Sequence, residues 1–229
     1  KRLSAEPKTN PYDLFALEAA LRIREKVGGT VTALTMGPAQ AEEMMRDAYM
    51  MGADEAVILS DKKFAGSDVL ATSYTLAQGI RVLGGADLII CGKQTTDGDT
   101  AQIGPAIAEH MGIPHGAWVS EITDVDEEGI VIRQDLMNIF QLSRMAYPCL
   151  ITVEKDSNVP RLPSYLLRQA TAGKKVKIVT FDDLPDKNLS RYGLIGSPTT
   201  VEKMFAPEST KSNQWITGNA AEQAEAVTY

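Results

Sequence analysis

Little in this chain points to catalysis by its own side chains. Two histidines and two cysteines are spread over 229 residues. Cys91 and Cys149 lie far apart and form no C-x-x-C, which excludes a disulfide framework and a zinc ribbon. Both read as small buried hydrophobes in a reducing compartment. His110 and His115 have no partner at zinc-ligand spacing. No G-x-S-x-G nucleophile motif occurs. No apolar run is long enough to span a bilayer, and no secretory leader is visible, so a cytoplasmic protein is expected. Positive charge is also scarce. With 23 Lys and Arg against 30 Asp and Glu, the net charge is −7, which argues against nucleic acid or an anionic membrane as the main partner. The chain opens at Lys1-Arg2-Leu3-Ser4 without a methionine, and native residues are expected before it.

What is present is ordinary globular composition, 44% hydrophobic and 23% charged, with a regular alternation of elements. Asn10-Pro11-Tyr12-Asp13 reads as a helix start with Asn10 as cap. Leu14, Leu17, Ala20 and Leu21 recur at helical spacing, and Gly28-Gly29 stops the run. Strands follow at 31–36, 55–60 and 87–91, and helices at 39–51, 69–83 (capped by Ser67 or Asp68) and 100–111. This is the βαβ pattern of a doubly wound, mainly parallel α/β sheet. After Pro114 the pattern changes to a hairpin, 118–124 with 130–134, and then a nearly all-apolar, central strand at 148–153. Met44, Met45, Met50 and Met51 read as core filling, and Lys174-Lys175-x-Lys177 as a solvated basic face. Beyond Asp182 the regularity fades. Leu194, Ile195, Val201, Met204, Phe205 and Trp215 are too scattered for a core of their own. The organisation is therefore a domain over 1–182 and an arm over 183–229 that packs on something else.

The segment 88–105 carries the functional signal. A short apolar run leads into a polar, Gly-punctuated loop and then a helix. In an open α/β sheet that junction is where ligands bind, and the free N–H groups of the new helix suit a phosphate. Gln94, Thr95, Thr96 and Thr100 offer hydrogen bonds there, with Gly92 and Gly98 where the backbone bends. No G-x-G-x-x-G follows a strand. Gly92 and Gly98 bracket the loop superficially as in a P-loop, but Asp99 follows where the Gly-Lys-Ser/Thr ending is required, which argues against a Walker-type NTPase. Two carboxylates are unusual beside a phosphate. Either Asp99 caps the helix and Asp97 shapes the turn into Gly98, or a carboxylate contacts ribose hydroxyls or a flavin N–H. His110 reads as a helix-end residue near the C-terminal dipole.

These residues resemble the β subunit of electron transfer flavoproteins. Gly92-Lys93-Gln94-Thr95-Thr96-Asp97-Gly98-Asp99-Thr100-Ala101-Gln102-Ile103-Gly104 is similar to that family's nucleotide-binding signature. Asn10-Pro11-Tyr12-Asp13, Thr35-Met36-Gly37-Pro38, Met51-Gly52-Ala53-Asp54 and Pro160-Arg161 fall where the family has matching segments. The resemblance runs from about 9 to 207. It implies a doubly wound domain whose arm wraps an α subunit, with the family's opening strand, and part of the adenine pocket, lying ahead of this sequence. It implies an adenine-nucleotide side lined by Asn10, Pro11, Tyr12, Asp13 and Met36. Asp99, Thr100, Ala101, Gln102, Ile103, Gly104, Pro105, Ala106, Ile107, Ala108, Glu109 and His110 belong to the same side. Gln94, Thr95, Thr96, Asp97 and Gly98 extend toward a flavin. Asp97-Gly98-Asp99-Thr100 resembles the electron-bifurcating version, which binds a second FAD in this subunit. So do the stretches 59–68 and 196–199. The other version binds AMP instead and tends to carry a more acidic run with no glycine at position 98.

The resemblance further implies that a partner dehydrogenase, acyl-CoA or related, docks near Pro160 to Gln169. The run 160–167 departs there from the family's commoner leucine-anchored form. In the bifurcating version NADH supplies the electrons, and ferredoxin or flavodoxin takes those of low potential. The rival from another class is a stand-alone ATP- or AMP-binding stress-type protein. The arm and the missing Gly-rich ATP loop disfavour it. A subunit whose nucleotide only supports folding is the remaining alternative.

Overall fold

Gly-terminated helices alternate with short apolar strands through the first half of the chain, and the computed structural model shows how they stack. It describes residues 8–136, 138–203 and 215–227. The elements are α1 (Pro11–Val27), β1 (Thr32–Met36), α2 (Glu42–Met51), β2 (Glu55–Leu59), α3 (Val69–Val82), β3 (Leu88–Gly92) and α4 (Ile103–Met111), then β4 (His115–Val125), β5 (Gly129–Leu136), β6 (Ile139–Ala146), β7 (Cys149–Val153), α5 (Tyr165–Ala170), β8 (Lys177–Val179) and α6 (Ala220–Val227). Gly28 closes α1 at φ 84°. Asp68, not Ser67, caps α3 by accepting the Ala71 N–H at 3.0 Å.

The strands form two sheets in the orders β1-β2-β8 and β3-β7-β4-β5-β6. Every pairing is parallel except β4–β5 and β5–β6. The expected central strand is β7, whose five residues are all buried. Helices cover both faces, as a doubly wound fold requires. Ile151 and Val153 of β7 pack with Ala16 of α1 on one face. Leu150 packs with Ala77 and Ile80 of α3 and with Ile107 and Ala108 of α4 on the other. Leu34 of β1 joins this second cluster beside Ile89 and Cys91 of β3, so one pair of helices seats both sheets.

Several expectations shift. The hairpin is longer than expected and gains a third strand, β6. The helix expected from 39 begins as a 3-10 turn at Ala39–Ala41. Of the four methionines only Met51 is buried. The boundary after Asp182 runs through packed structure, because Leu184 and Tyr192 are buried against Phe64 and Phe181. Ser197 and Thr199 then tie to Asp68. Met204, Phe205 and Pro207 lie outside the described residues. No helix among the described residues is long and apolar enough to cross a membrane.

Candidate functional site

The parallel strands β3 and β7 end side by side, and the loop 93–102 leaves from that edge. Lys93 is still in register, its N–H bonded to the Val153 carbonyl at 2.9 Å. From Thr95 to Thr100 the chain is exposed. The helix does not begin at Thr100 as expected. Asp99 (φ 51°) and Ala101 (φ 53°) adopt left-handed backbone, which no helix tolerates, so α4 starts at Ile103. Asp99 is therefore not the cap. Gln102 holds that position and makes no side-chain capping bond. The Asp99 carboxylate instead accepts a hydrogen bond from the Gln94 side-chain amide. Asp97 accepts the Gly98 N–H at 2.8 Å and so shapes the turn.

Asn10 stands at the cap position of α1, yet its side chain caps nothing. Its Nδ2 donates to the Gln94 carbonyl at 2.8 Å and ties the start of α1 to the loop. Its Oδ1 is buried without a partner. Asp13 accepts the Gly92 N–H at 3.2 Å. Desolvation at this junction raises the Asp13 carboxyl above its ordinary value, outweighing the bonds from Asn10 and Gly92 that lower it, and burial pushes the Cys91 thiol up to about 12. Gly92 itself is required by close approach, since a Cβ there would lie 2.7 Å from the Tyr12 backbone.

The predicted residues thus divide. Asn10, Asp13, Gly92, Gln94, Thr95, Asp97, Gly98 and Asp99 are joined by hydrogen bonds around one turn. Ile103 and Gly104 present the first N–H groups of α4, which the helix cannot satisfy itself. Ile107 and Ala108 are core residues facing α3. His110 lies two turns along α4 and points away from the loop, its ring edge-on to Tyr74 at 5.3 Å. Burial first, and then the nearby Arg81, lower its pKa.

Three neighbouring residues, Trp118, Thr152 and Glu154, carried no site signal in the sequence, and Lys93 carried one only as part of the loop signature. Lys93 Nζ pairs with Glu154 at 2.8 Å and sits 4.7 Å from the centre of the Trp118 ring. Thr152 is buried and accepts the Trp118 N–H at 3.0 Å. Trp118 read only as the start of a hairpin strand, because a bulge and a left-handed φ (59°) are products of tertiary structure. A groove of about 290 Å³ between α1 and β4 contains no residue of the loop. Its flanking charges, Lys26 and Asp124, satisfy each other at 2.7 Å.

The arrangement suits a nucleotide. The unbonded N–H groups of α4 fit a phosphate, and the buried orphan acceptor on Asn10 fits a ligand N–H or O–H. A Cβ at Gly98 would meet only Thr95 Oγ1, at 3.2 Å, so a bulky group can approach the backbone. No nucleophile with a base stands nearby, and no cluster of metal-ligating side chains occurs among the described residues.

Comparison with known proteins shows the family. Residues 2–185 match the electron transfer flavoprotein domain. The electron transfer flavoprotein subunit beta of Thermoanaerobacterium thermosaccharolyticum is 43% identical over 218 residues, 94% of this chain and 82% of that relative. Protein FixA of Bradyrhizobium diazoefficiens is 43% identical over 226 residues, 95% of this chain and 78% of the relative. The caffeyl-CoA reductase-Etf complex subunit CarD of Acetobacterium woodii is 40% identical over 215 residues, covering 93% and 81%.

Proposed function

Starting from the electron transfer flavoprotein family, to which this chain belongs as a β subunit, we propose that it binds FAD on the shelf between β3 and α4. With its α subunit it then passes electrons from NADH to a partner dehydrogenase, by flavin-based bifurcation. FAD supplies both one- and two-electron chemistry when bound. The residues of this chain bind and orient it. The α4 N-terminus and the loop N–H groups receive the diphosphate, Asn10 and Asp13 hold the adenosine side, and the turn at Asp97–Asp99 lies toward the flavin. The observation that carries the reading is the exposed turn whose two left-handed residues, Asp99 and Ala101, hold it open at the carboxyl edge. Gly98 supports FAD over AMP because its flank is open.

The low-potential electron goes to a ferredoxin or flavodoxin, the other to the α-subunit FAD. The dehydrogenase docks on residues 160–169. There α5 exposes Tyr165 and Leu166, and the CarD relative belongs by name to a caffeyl-CoA reductase-Etf complex. An absorption spectrum of the purified αβ complex, with nucleotide extraction, tests the proposal. Two FADs per complex are expected. One FAD and one AMP would overturn the bifurcating reading and leave ordinary electron transfer.

A further inference from the structure

Four non-glycine residues among those described have positive φ. They are Asp99 and Ala101 in the loop after β3, Asp156 in the segment after β7, and Trp118 in the bulge of β4. Trp118 is the outlier, because bulky side chains strongly avoid this backbone. The bulge is pinned on every side. Thr152 Oγ1 accepts the Trp118 N–H at 3.0 Å, Gln134 Nε2 donates to the Ala117 carbonyl at 2.6 Å, and the Val119 carbonyl accepts the Glu154 N–H at 2.9 Å. Three bonds thus hold the backbone of the bulge around a residue that remains 41% exposed, where burial alone gives no reason for the strain. Lys93, paired with Glu154, places its ammonium 4.7 Å from the ring centre.

The position across the sheet matters. Asn10 and Asp13 stand at the end of β3, and Trp118 stands on β4, beyond β7. Two strand spacings make about 10 Å, so Trp118 lies across β7 from the residues that would hold the adenosine. We propose that Trp118 is a ligand-binding residue of this subunit, its indole stacking on the isoalloxazine ring of FAD, while AMP leaves it uncovered. Lys93 and Glu154 act as positioning residues for the indole. The inference rests on the FAD reading above.

The test uses the αβ complex with W118A, W118L and W118F. Dissociation of FAD and AMP from the β site is measured by dialysis against graded nucleotide, and flavin fluorescence is recorded on the bound state. Loss of aromatic stacking is expected to weaken FAD about tenfold in W118A and W118L alike. Flavin fluorescence rises, and AMP affinity stays unchanged. W118F keeps most of the affinity. Equal FAD affinity and equal quenching in W118A overturn the inference alone. So does a W118L protein that binds as the wild type does, because the indole is then only bulk. A wild-type complex that takes up AMP and no second FAD overturns the inference together with the reading it rests on.

Discussion

Glu18 is a carboxylate only 3% exposed on α1, and it is held there by cations. Arg161 donates to it from Nε at 2.8 Å and from its backbone N–H at 3.0 Å, and Arg22 donates at 2.6 Å. Burial pushes its pKa up, but these bonds outweigh burial and hold it down to about 2, against an ordinary 4.5. The folded value lies below the unfolded one. The pair's contribution is therefore complete above pH 4.5 and is lost as pH falls toward 2. At neutral pH the difference is worth about 3 kcal/mol. E18Q is expected to lower urea stability by roughly that amount at pH 7, with the gap to wild type narrowing below pH 4.5. A gap independent of pH would refute the assignment. Gly104 makes a second single-residue case. A Cβ there would lie 2.4 Å from Thr152 Cγ2, and Thr152 also holds the Trp118 bulge. G104A is expected to cost about 1–3 kcal/mol by overpacking and to weaken nucleotide binding in the same variant. Wild-type melting with intact binding would contradict it.

At the scale of elements, the loop and α5 after Pro160 hang from that same ion pair. Arg161 also reaches Glu25 at 2.7 Å, which fixes the base of the segment on α1. Leu162 and Leu166 remain 86% and 75% exposed. A rigid base below exposed leucines suits a docking element. L166D is expected to slow electron passage to the partner dehydrogenase about tenfold, with flavin content and urea midpoint unchanged. Undiminished passage would place the docking surface elsewhere. The elements that were legible in the sequence are those with a clean period and a stop. α1 was readable from Pro11, its apolar stripe and Gly28, and β7 from its unbroken apolar run. β6 was not, because Ile139, Phe140 and Leu142 are all exposed and give no in-out alternation. β8 has three residues and α5 six, too few to show a period. At the site, the loop's position and its Asn10 partner segment were readable from residue types. The left-handed turns at Asp99 and Ala101, and the reach of Trp118 toward Lys93, were not. Local propensity disfavours both, and only contacts across the sheet impose them.

On the scale of the whole molecule, packing among the described residues continues past the α/β core as far as Thr199. Tyr192 is buried among Phe64, Tyr74 and Phe181, and Thr199 is bonded through both N–H and Oγ1 to Asp68. Beyond it, Val201, Trp215 and Val227 are 79%, 90% and 73% exposed, and every residue of α6 is exposed. Apolar side chains left out of a core gain from a second surface, and in this family of heterodimers the α subunit is the surface at hand. The two halves of the arm should therefore separate by function. A chain ending at Lys203 keeps every buried contact described above and is expected to unfold in urea within about 0.5 kcal/mol of the full chain. It is expected to lose co-purification with the α subunit. A chain ending at Asp182 removes Leu184 and Tyr192 from the core, and a stability loss of about 3–5 kcal/mol is expected from large aromatic and aliphatic deletions. Intact co-purification of the chain ending at Lys203 would show that the α subunit is held by the sheet or α5 instead. Equal stability of the two truncations would show that the 183–199 segment is not part of the folded core.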